Sequence, residues 1–233
     1  MSSRKHTFLA PVLGLLLVAV GCRSSAPALP QDPTEALAEV ERRLLGAESV
    51  RCFSELTAEG SVTAELRSEH QLAPDGRARV RVKGTFAGQP IDVVFESDGA
   101  IMRMVGAGPL REREALPDVF RGFVLGLSRM GWMHNAAMLA NGGLPEGCDG
   151  KVTSWVEARG VKLGDEVELN GTPARALVFD VAVGGQVSGN AILWVSTESG
   201  LPLMRLQRVM FPEGEMRVSE IYEQLELNGR TEW

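Results

Sequence analysis

The sequence predicts an α+β fold: about ten antiparallel strands in meander order, forming a wide sheet that tends to curl, with helical segments packed against it. Three observations predict it. Short runs alternate apolar and polar residues, as in Val62, Ala64 and Leu66 against Thr63, Glu65 and Arg67, and period two with one polar side marks an antiparallel sheet wet on one face. Turn-forming pairs separate consecutive runs, among them Asp75-Gly76, Asp98-Gly99, Asn170-Gly171 and Gly184-Gly185. One apolar stretch with helical spacing, residues 116–140, interrupts the series, and a sheet this wide tends to twist and curl around such a segment.

Residues 1–21 read as an export leader. Arg4, Lys5 and His6 form a basic start, and Phe8 to Val20 is an apolar run shorter than the ~20 residues that a membrane span needs. The run ends at Ala19-Val20-Gly21-Cys22, small residues before a cysteine that resemble a bacterial lipobox. Cys22 is then the lipidated first residue of the mature chain. The alternative is an ordinary leader cut near Ala26, with Cys22 discarded. Arg23 stands where an aspartate would favour retention at the inner membrane. The expected location is therefore the cell envelope, anchored by lipid in the outer membrane and facing the periplasm. Residues 22–33 are rich in Ser, Ala and Pro and read as a flexible tether. Residues 34–233 read as a single domain with room for a sizeable core.

Composition excludes some functions. The chain carries a formal charge of −6, and losing Arg4 and Lys5 with the leader makes it more acidic still, so nucleic acid is not an expected partner. With Cys22 lipidated, Cys52 and Cys148 remain as a possible disulfide of an exported protein; two buried free thiols are the alternative.

The elements follow in order. Residues 33–48 form a first helix, with Leu37, Val40, Leu44 and Leu45 on one face and Asp32 or Thr34 as its cap. Strands are expected at Val62–Arg67, Arg79–Lys83, Ile91–Glu96 and Ile101–Val105. Glu112 and Glu114 flank Arg113 in what reads as a charged loop. In residues 116–140 apolar side chains recur at Val119, Phe120, Phe123, Val124, Leu127, Met130, Ala137 and Met138, giving one broad apolar helical face. Beyond it, strands are expected at 152–157, 161–169, 174–183, 189–195, 202–211 and 216–227. Ile192-Leu193-Trp194-Val195 is apolar on both faces, so this strand is either central and covered on both sides or lines something apolar.

Catalytic chemistry is not visible. His70 and His134 lack metal-ligand spacing, and neither a nucleophile elbow nor a phosphate-cradling loop is present, so no catalytic residue, metal or cofactor is expected. His70 continues the inward series Val62, Ala64, Leu66 and Ser68 but is expected at a strand end near solvent. The methionines either adapt to a ligand or fill gaps in a core.

The organisation resembles the LolA/LolB-like outer-membrane lipoprotein-sorting carriers across residues 34–228. Its marks are the turn Glu96-Ser97-Asp98-Gly99, the run from Leu193-Trp194 through Gly200-Leu201-Pro202, which looks like the family's LWxxxxTGLP strand–turn–strand, and the final run with Ile221-Tyr222. The resemblance implies a strongly curved antiparallel β half-barrel with helices covering its concave face, and a lidded, apolar, non-catalytic cavity that accepts lipid or the acyl chains of a lipoprotein, in a monomer held at the membrane. The lining candidates are Phe120, Phe123, Leu127 and Met130 on the helix, with Val93, Phe95, Ile192 and Trp194 on the sheet. The competing expectation is a protein-interaction or stress-sensing module of the envelope with a closed core.

Overall fold

The computed structural model describes residues 28–106, 110–115, 118–135, 154–212 and 214–230. The chain enters through α1 (Pro33–Leu45). The Asp32 carboxylate accepts a hydrogen bond of 2.9 Å from the Glu35 N–H, Pro33 opens the helix, and Arg42 and Arg43 close it, as the helix dipole favours. Its apolar face buries Ala36, Leu37, Val40 and Leu44.

Six strands follow: β1 (Val50–Gly60), β2 (Ala64–Leu72), β3 (Arg77–Phe86), β4 (Gln89–Asp98), β5 (Ile101–Val105) and β6 (Arg111–Glu114). A helical insert comes next, with α2 (Val119–Leu125) running into a π-helical turn, Gly126–Met130. Five strands complete the chain: β7 (Val156–Leu169), β8 (Thr172–Val183), β9 (Gln186–Ser196), β10 (Pro202–Phe211) and β11 (Gly214–Leu227).

All eleven strands belong to one open antiparallel sheet ordered β6-β5-β4-β3-β2-β1-β11-β10-β9-β8-β7. Each half is a meander of local hairpins. The halves join where the first strand pairs with the last, from Val50 opposite Leu227 to Gly60 opposite Met216. The free edges are β6 and β7, and α2 and the π turn, from the insert between them, lie over the concave face. Both edges are poor templates for another chain: β6 is short and charged, and β7 shifts register between Arg159 and Lys162 and between Leu163 and Glu166. At Gly84 (φ +141°) a side chain would run into the Glu65 carbonyl, so β3 approaches β2 more closely there than a residue with Cβ allows.

The α+β half-barrel stands as expected, with four differences in its elements. Residues 50–60 form a strand, although charged and polar residues interrupt the alternation. Residues 111–114 are the edge strand β6, not a loop, because β5 supplies a pairing partner through Met104 opposite Arg111. The two runs expected at 152–157 and 161–169 are the single strand β7, whose bulges absorb the break in alternation. The long central helix ends its α-helical part at Leu125, and Gly131 (φ +105°) breaks it after the π turn, before a short helical turn at 132–135. The leader, Cys22, Cys148 and residues 136–140 lie outside the described residues.

Candidate functional site

The concave face is roofed by α2, the π turn and α1, and the first part of this roof is apolar. Val119, Phe120, Phe123, Val124, Leu125 and Leu127 are all buried, with Phe123, Val124 and Leu127 fully so. Phe123 meets Phe95 of β4 edge-to-face at 5.3 Å between ring centroids, over a floor that includes Val80, Val82 and Met102. At the rim, Leu45, Ala115, Val119 and Phe120 border a cleft of about 360 Å³ between the end of α1 and the start of α2. The turns at Asp75-Gly76 and Gly99, with Asp118 and Arg121, close its other side.

Polar bonds clasp the roof. Arg129, in the π turn, donates to both carboxylate oxygens of Glu41 on α1, at 2.6 and 2.8 Å, and to the Val156 carbonyl of β7 at 2.7 Å. Ser128 donates to the same Glu41 at 3.1 Å. The buried Asn135 amide donates to the Gly122 carbonyl at 2.7 Å, folding the 132–135 turn back onto α2.

Beneath the π turn the floor changes character. Register places His70, Ser68, Ser54, Tyr222, Glu220, Arg205 and Gln207 on the concave face of β2, β1, β11 and β10, and all seven are buried. Arg205 Nε donates to Glu220 Oε2 at 3.0 Å, with both side chains 1% exposed, and Arg205 Nη1 donates to Gln207 Oε1. The Tyr222 hydroxyl faces two acceptors, Glu220 Oε2 at 2.8 Å and the Leu127 carbonyl at 3.0 Å, so one proton serves both. Burial, reinforced by the Glu220 charge, holds this phenol well above its ordinary range and keeps it a donor. Ser68 bridges His70 Nε2 (2.7 Å) and Ser54 (2.6 Å), and His70 meets Trp132 edge-on at 4.7 Å. Burial lowers the His70 pKa to about 3, so the ring is neutral.

Four groups here are buried without a hydrogen-bond partner: Glu220 Oε1, Gln207 Nε2, His70 Nδ1 and Trp132 Nε1. Gly131 lies directly over the ion pair. A Cβ there would sit 2.8 Å from Glu220 Oε1 and run into the Arg205 guanidinium. Only a glycine lets the backbone lie this close.

The expected lining residues divide between the faces. Phe95, Phe120, Phe123 and Leu127 come together in the apolar half; Val93 shares their face, opposite Val82, and Met130 packs at the margin of the core. Ile192 and Trp194 are corrected: they lie on the outer face, because Leu193 pairs with the inward-facing Arg205, and alternation turns both neighbours away. There they join two rows across adjacent strands, Val178-Ile192-Leu206 and Ala176-Trp194-Met204. Beside these rows runs an outer groove of about 540 Å³ whose borders include Thr57, Ile192, Leu206, Arg208 and Arg217. His70 is also corrected. It is fully buried, because its strand continues inward to Leu72. Cys52, on β1, is fully buried too, and burial followed by the Glu220 charge pushes its thiol pKa up.

Sequence reasoning missed Arg205, Gln207 and Glu220. Their signal was present as charged and amide residues inside otherwise regular strands, at inward register positions. Among the described residues no three His, Cys, Asp or Glu side chains gather as a metal site, and no helix is long and apolar enough to cross a membrane.

No protein-family model matches the chain, and no curated protein matches it. Solved structures match it at low sequence identity. MucB is 19% identical, with a TM-score of 0.44 over 87% of this chain and 61% of that one, so this chain spans under two thirds of MucB. LprF from Mycobacterium bovis is 9% identical, with a TM-score of 0.48 over 85% of this chain and 95% of that one. A LolA superfamily protein from Nitrosomonas europaea is 8% identical, with a TM-score of 0.38 over 88% of this chain and 96% of that one.

Proposed function

We propose that this chain is a non-catalytic, lipid-anchored protein of the bacterial envelope. In this reading it holds the acyl chains of a lipid or lipoprotein between its concave sheet and the α2 roof, in the sorting of lipoproteins toward the outer membrane. The observation that carries it is the underside of the roof. An isolated α-helical segment, Val119–Leu125, spreads Phe120 and Phe123 on a curved floor and is followed at once by a π turn and a glycine break. The α2 part of the roof, held at its far end by the Arg129–Glu41 clasp, can lift while the sheet keeps its hydrogen bonds. An acyl chain replacing its apolar contacts is stabilised by ~0.8 kcal/mol per buried CH₂. Cys22 supplies the anchor, residues 22–33 the tether, and residues 34–233 the binding domain. A Cys52–Cys148 bridge is the open alternative to the buried free Cys52 thiol that the structure holds.

The test is to purify the full chain from membranes and identify co-extracted lipid by mass spectrometry. Bound acyl lipid is expected. Lipid-free protein that also fails to bind a fluorescent fatty acid overturns the reading. A Cys22→Ala chain is expected in the soluble fraction, and its retention at the membrane overturns the anchor. Intact mass with and without reductant is expected to differ by two hydrogens if Cys52 and Cys148 are bridged; equal masses overturn the bridge.

A second reading has its own observation. The outer rows around Ile192, Trp194, Met204 and Leu206 form an apolar face on the side away from the roof. This favours a protein-interaction module whose core stays closed. Capture of a partner that depends on Trp194, by a chain carrying no lipid, is the outcome that supports it.

A further inference from the structure

We propose that the polar tract beneath the π turn is a second subsite of the interior, which recognises an uncharged hydrogen-bonding linkage at the polar end of an acyl chain: a carbonyl with a neighbouring hydroxyl or N–H. The proposal rests on the acyl-binding reading above and adds the chemistry of the head to it. Its basis is the set of groups left unsatisfied. Gln207 Nε2 and Trp132 Nε1 are buried donors without an acceptor, and Glu220 Oε1 is a buried acceptor without a donor. Leaving such groups unmade is costly, and a native interior makes few of them without a reason. Together they ask for one ligand atom that accepts and one that donates.

Charge narrows the class. Arg205 and Glu220 face each other at 3.0 Å as an ion pair, so their charges offset each other within the tract. A carboxylate or phosphate head would meet the Glu220 charge, and an ammonium head would meet Arg205. Either would enter a dry site without a counter-charge of its own. An ester or amide linkage brings no charge and satisfies both kinds of unmet group.

Position joins the two subsites. Val80 pairs with His70 and Val82 with Ser68, so the apolar floor runs directly into the tract. A chain lying along β3 and β4 under α2 therefore ends its apolar part where the polar groups begin. The cover over the tract is thin, because Gly131 presents backbone alone to the ion pair. A π-helical turn precedes it, an irregularity that recurs at functional sites.

The test uses the full chain loaded with an apolar fluorescent dye, phenylnaphthylamine, and displaces the dye with three amphiphiles of equal chain length: monodecanoylglycerol, decanoate in its ionised form and decyltrimethylammonium. The neutral ester is expected to displace the dye at about tenfold lower concentration than either ion, the effect of one or two buried hydrogen bonds made or left unmade. Trp132→Phe removes one unsatisfied donor while keeping a ring against His70. It is expected to cut that preference about fivefold. Gln207→Leu supplies the second variant if the first folds poorly. Dye binding with equal displacement by all three, a preference for either ion, or an unaltered preference in both variants overturns the proposal alone. Failure to bind the dye at all overturns the acyl-binding reading and this proposal with it.

Discussion

The two halves of the sheet carry their polar groups in different places: the concave face of the second half is mostly apolar too, with Leu177, Phe179, Leu193 and Val195, but it also holds the buried Arg205–Glu220 pair. In the first half, β2 to β5, the concave face is largely apolar, with Leu66, Val80, Val82, Phe95 and Met102. Its outer face is charged, with Arg67 paired to Glu55, Arg79 to Glu96 and Lys83 to Asp92. In the second half, β9 and β10 present Ile192, Trp194, Met204 and Leu206 outward, while Arg205, Gln207 and the neighbouring Glu220 of β11 point into the interior. The same roof thus rests on grease at one end and on an ion pair at the other. The two ends are held by different physics. The apolar end tolerates exchange of one hydrophobic group for another, because dispersion and burial have no fixed direction. The polar end tolerates only partners that complete its hydrogen bonds.

This contrast can be broken or sharpened by experiment. The largest effect is expected at the ion pair. Glu220→Ala strands the Arg205 charge in the interior and is expected to cost about 3–5 kcal/mol in denaturant unfolding, whereas Arg205→Met with Glu220→Leu is expected to recover most of it. A single substitution costing under about 1 kcal/mol would mean that the pair is not buried in solution. At the apolar end, Phe123→Ala is expected to cost about 3–4 kcal/mol through lost burial and a cavity, with Phe123→Leu recovering much of it. Equal losses for Ala and Leu would count against a non-directional contact.

The pH dependence is next in size. Burial holds the His70 imidazole at about 3 against an ordinary 6.5. The unfolded chain therefore takes up a proton that the folded chain refuses. The stability that depends on neutral His70 is complete above about pH 6.5 and lost progressively as pH falls toward 3, amounting to about 2 kcal/mol at pH 5. Burial lowers the His134 pKa as well, in the same direction. His70→Asn is expected to flatten this part of the curve of unfolding free energy against pH; an unchanged slope would place the ring in solvent.

The smallest effect is expected on the outer face. Leu206→Lys is expected to change stability by within about 0.5–1 kcal/mol, since its row is only half-buried. A loss comparable to that of Phe123→Ala would show that something covers this face in the folded protein.

Much of this was legible in the residues. The alternation of Ala78, Val80 and Val82 with Arg79, Arg81 and Lys83 marks β3, and Asp75-Gly76 marks its turn, because period and turn chemistry are local. Phe95, Phe120, Phe123 and Leu127 were identifiable as interior side chains, because a large apolar residue on an alternating strand or an amphipathic helix face is seldom left in water. Ile192 and Trp194 misled for the same reason in reverse. In a strand apolar on both sides, alternation says that they share a face, but not which one. Arg205 and Glu220 carry no local sign of burial, since charged side chains are almost never fully buried unless paired, and the partners are on different strands. Residues 111–114 looked like a charged loop because nothing within them signals that β5 lies alongside.

By itself the sequence determined most of the strands and their turns, though not β1, β6 or the continuity of β7, together with the capped first helix and the apolar underside of the second, all of which depend on residues within a few positions of one another. Tertiary structure alone decided that β1 pairs with β11, which side of each strand the roof covers, and that Arg205, Glu220 and His70 meet beneath Gly131. Burial and hydrogen-bond completion are properties of groups brought together from distant parts of the chain, and no local pattern encodes which distant group arrives.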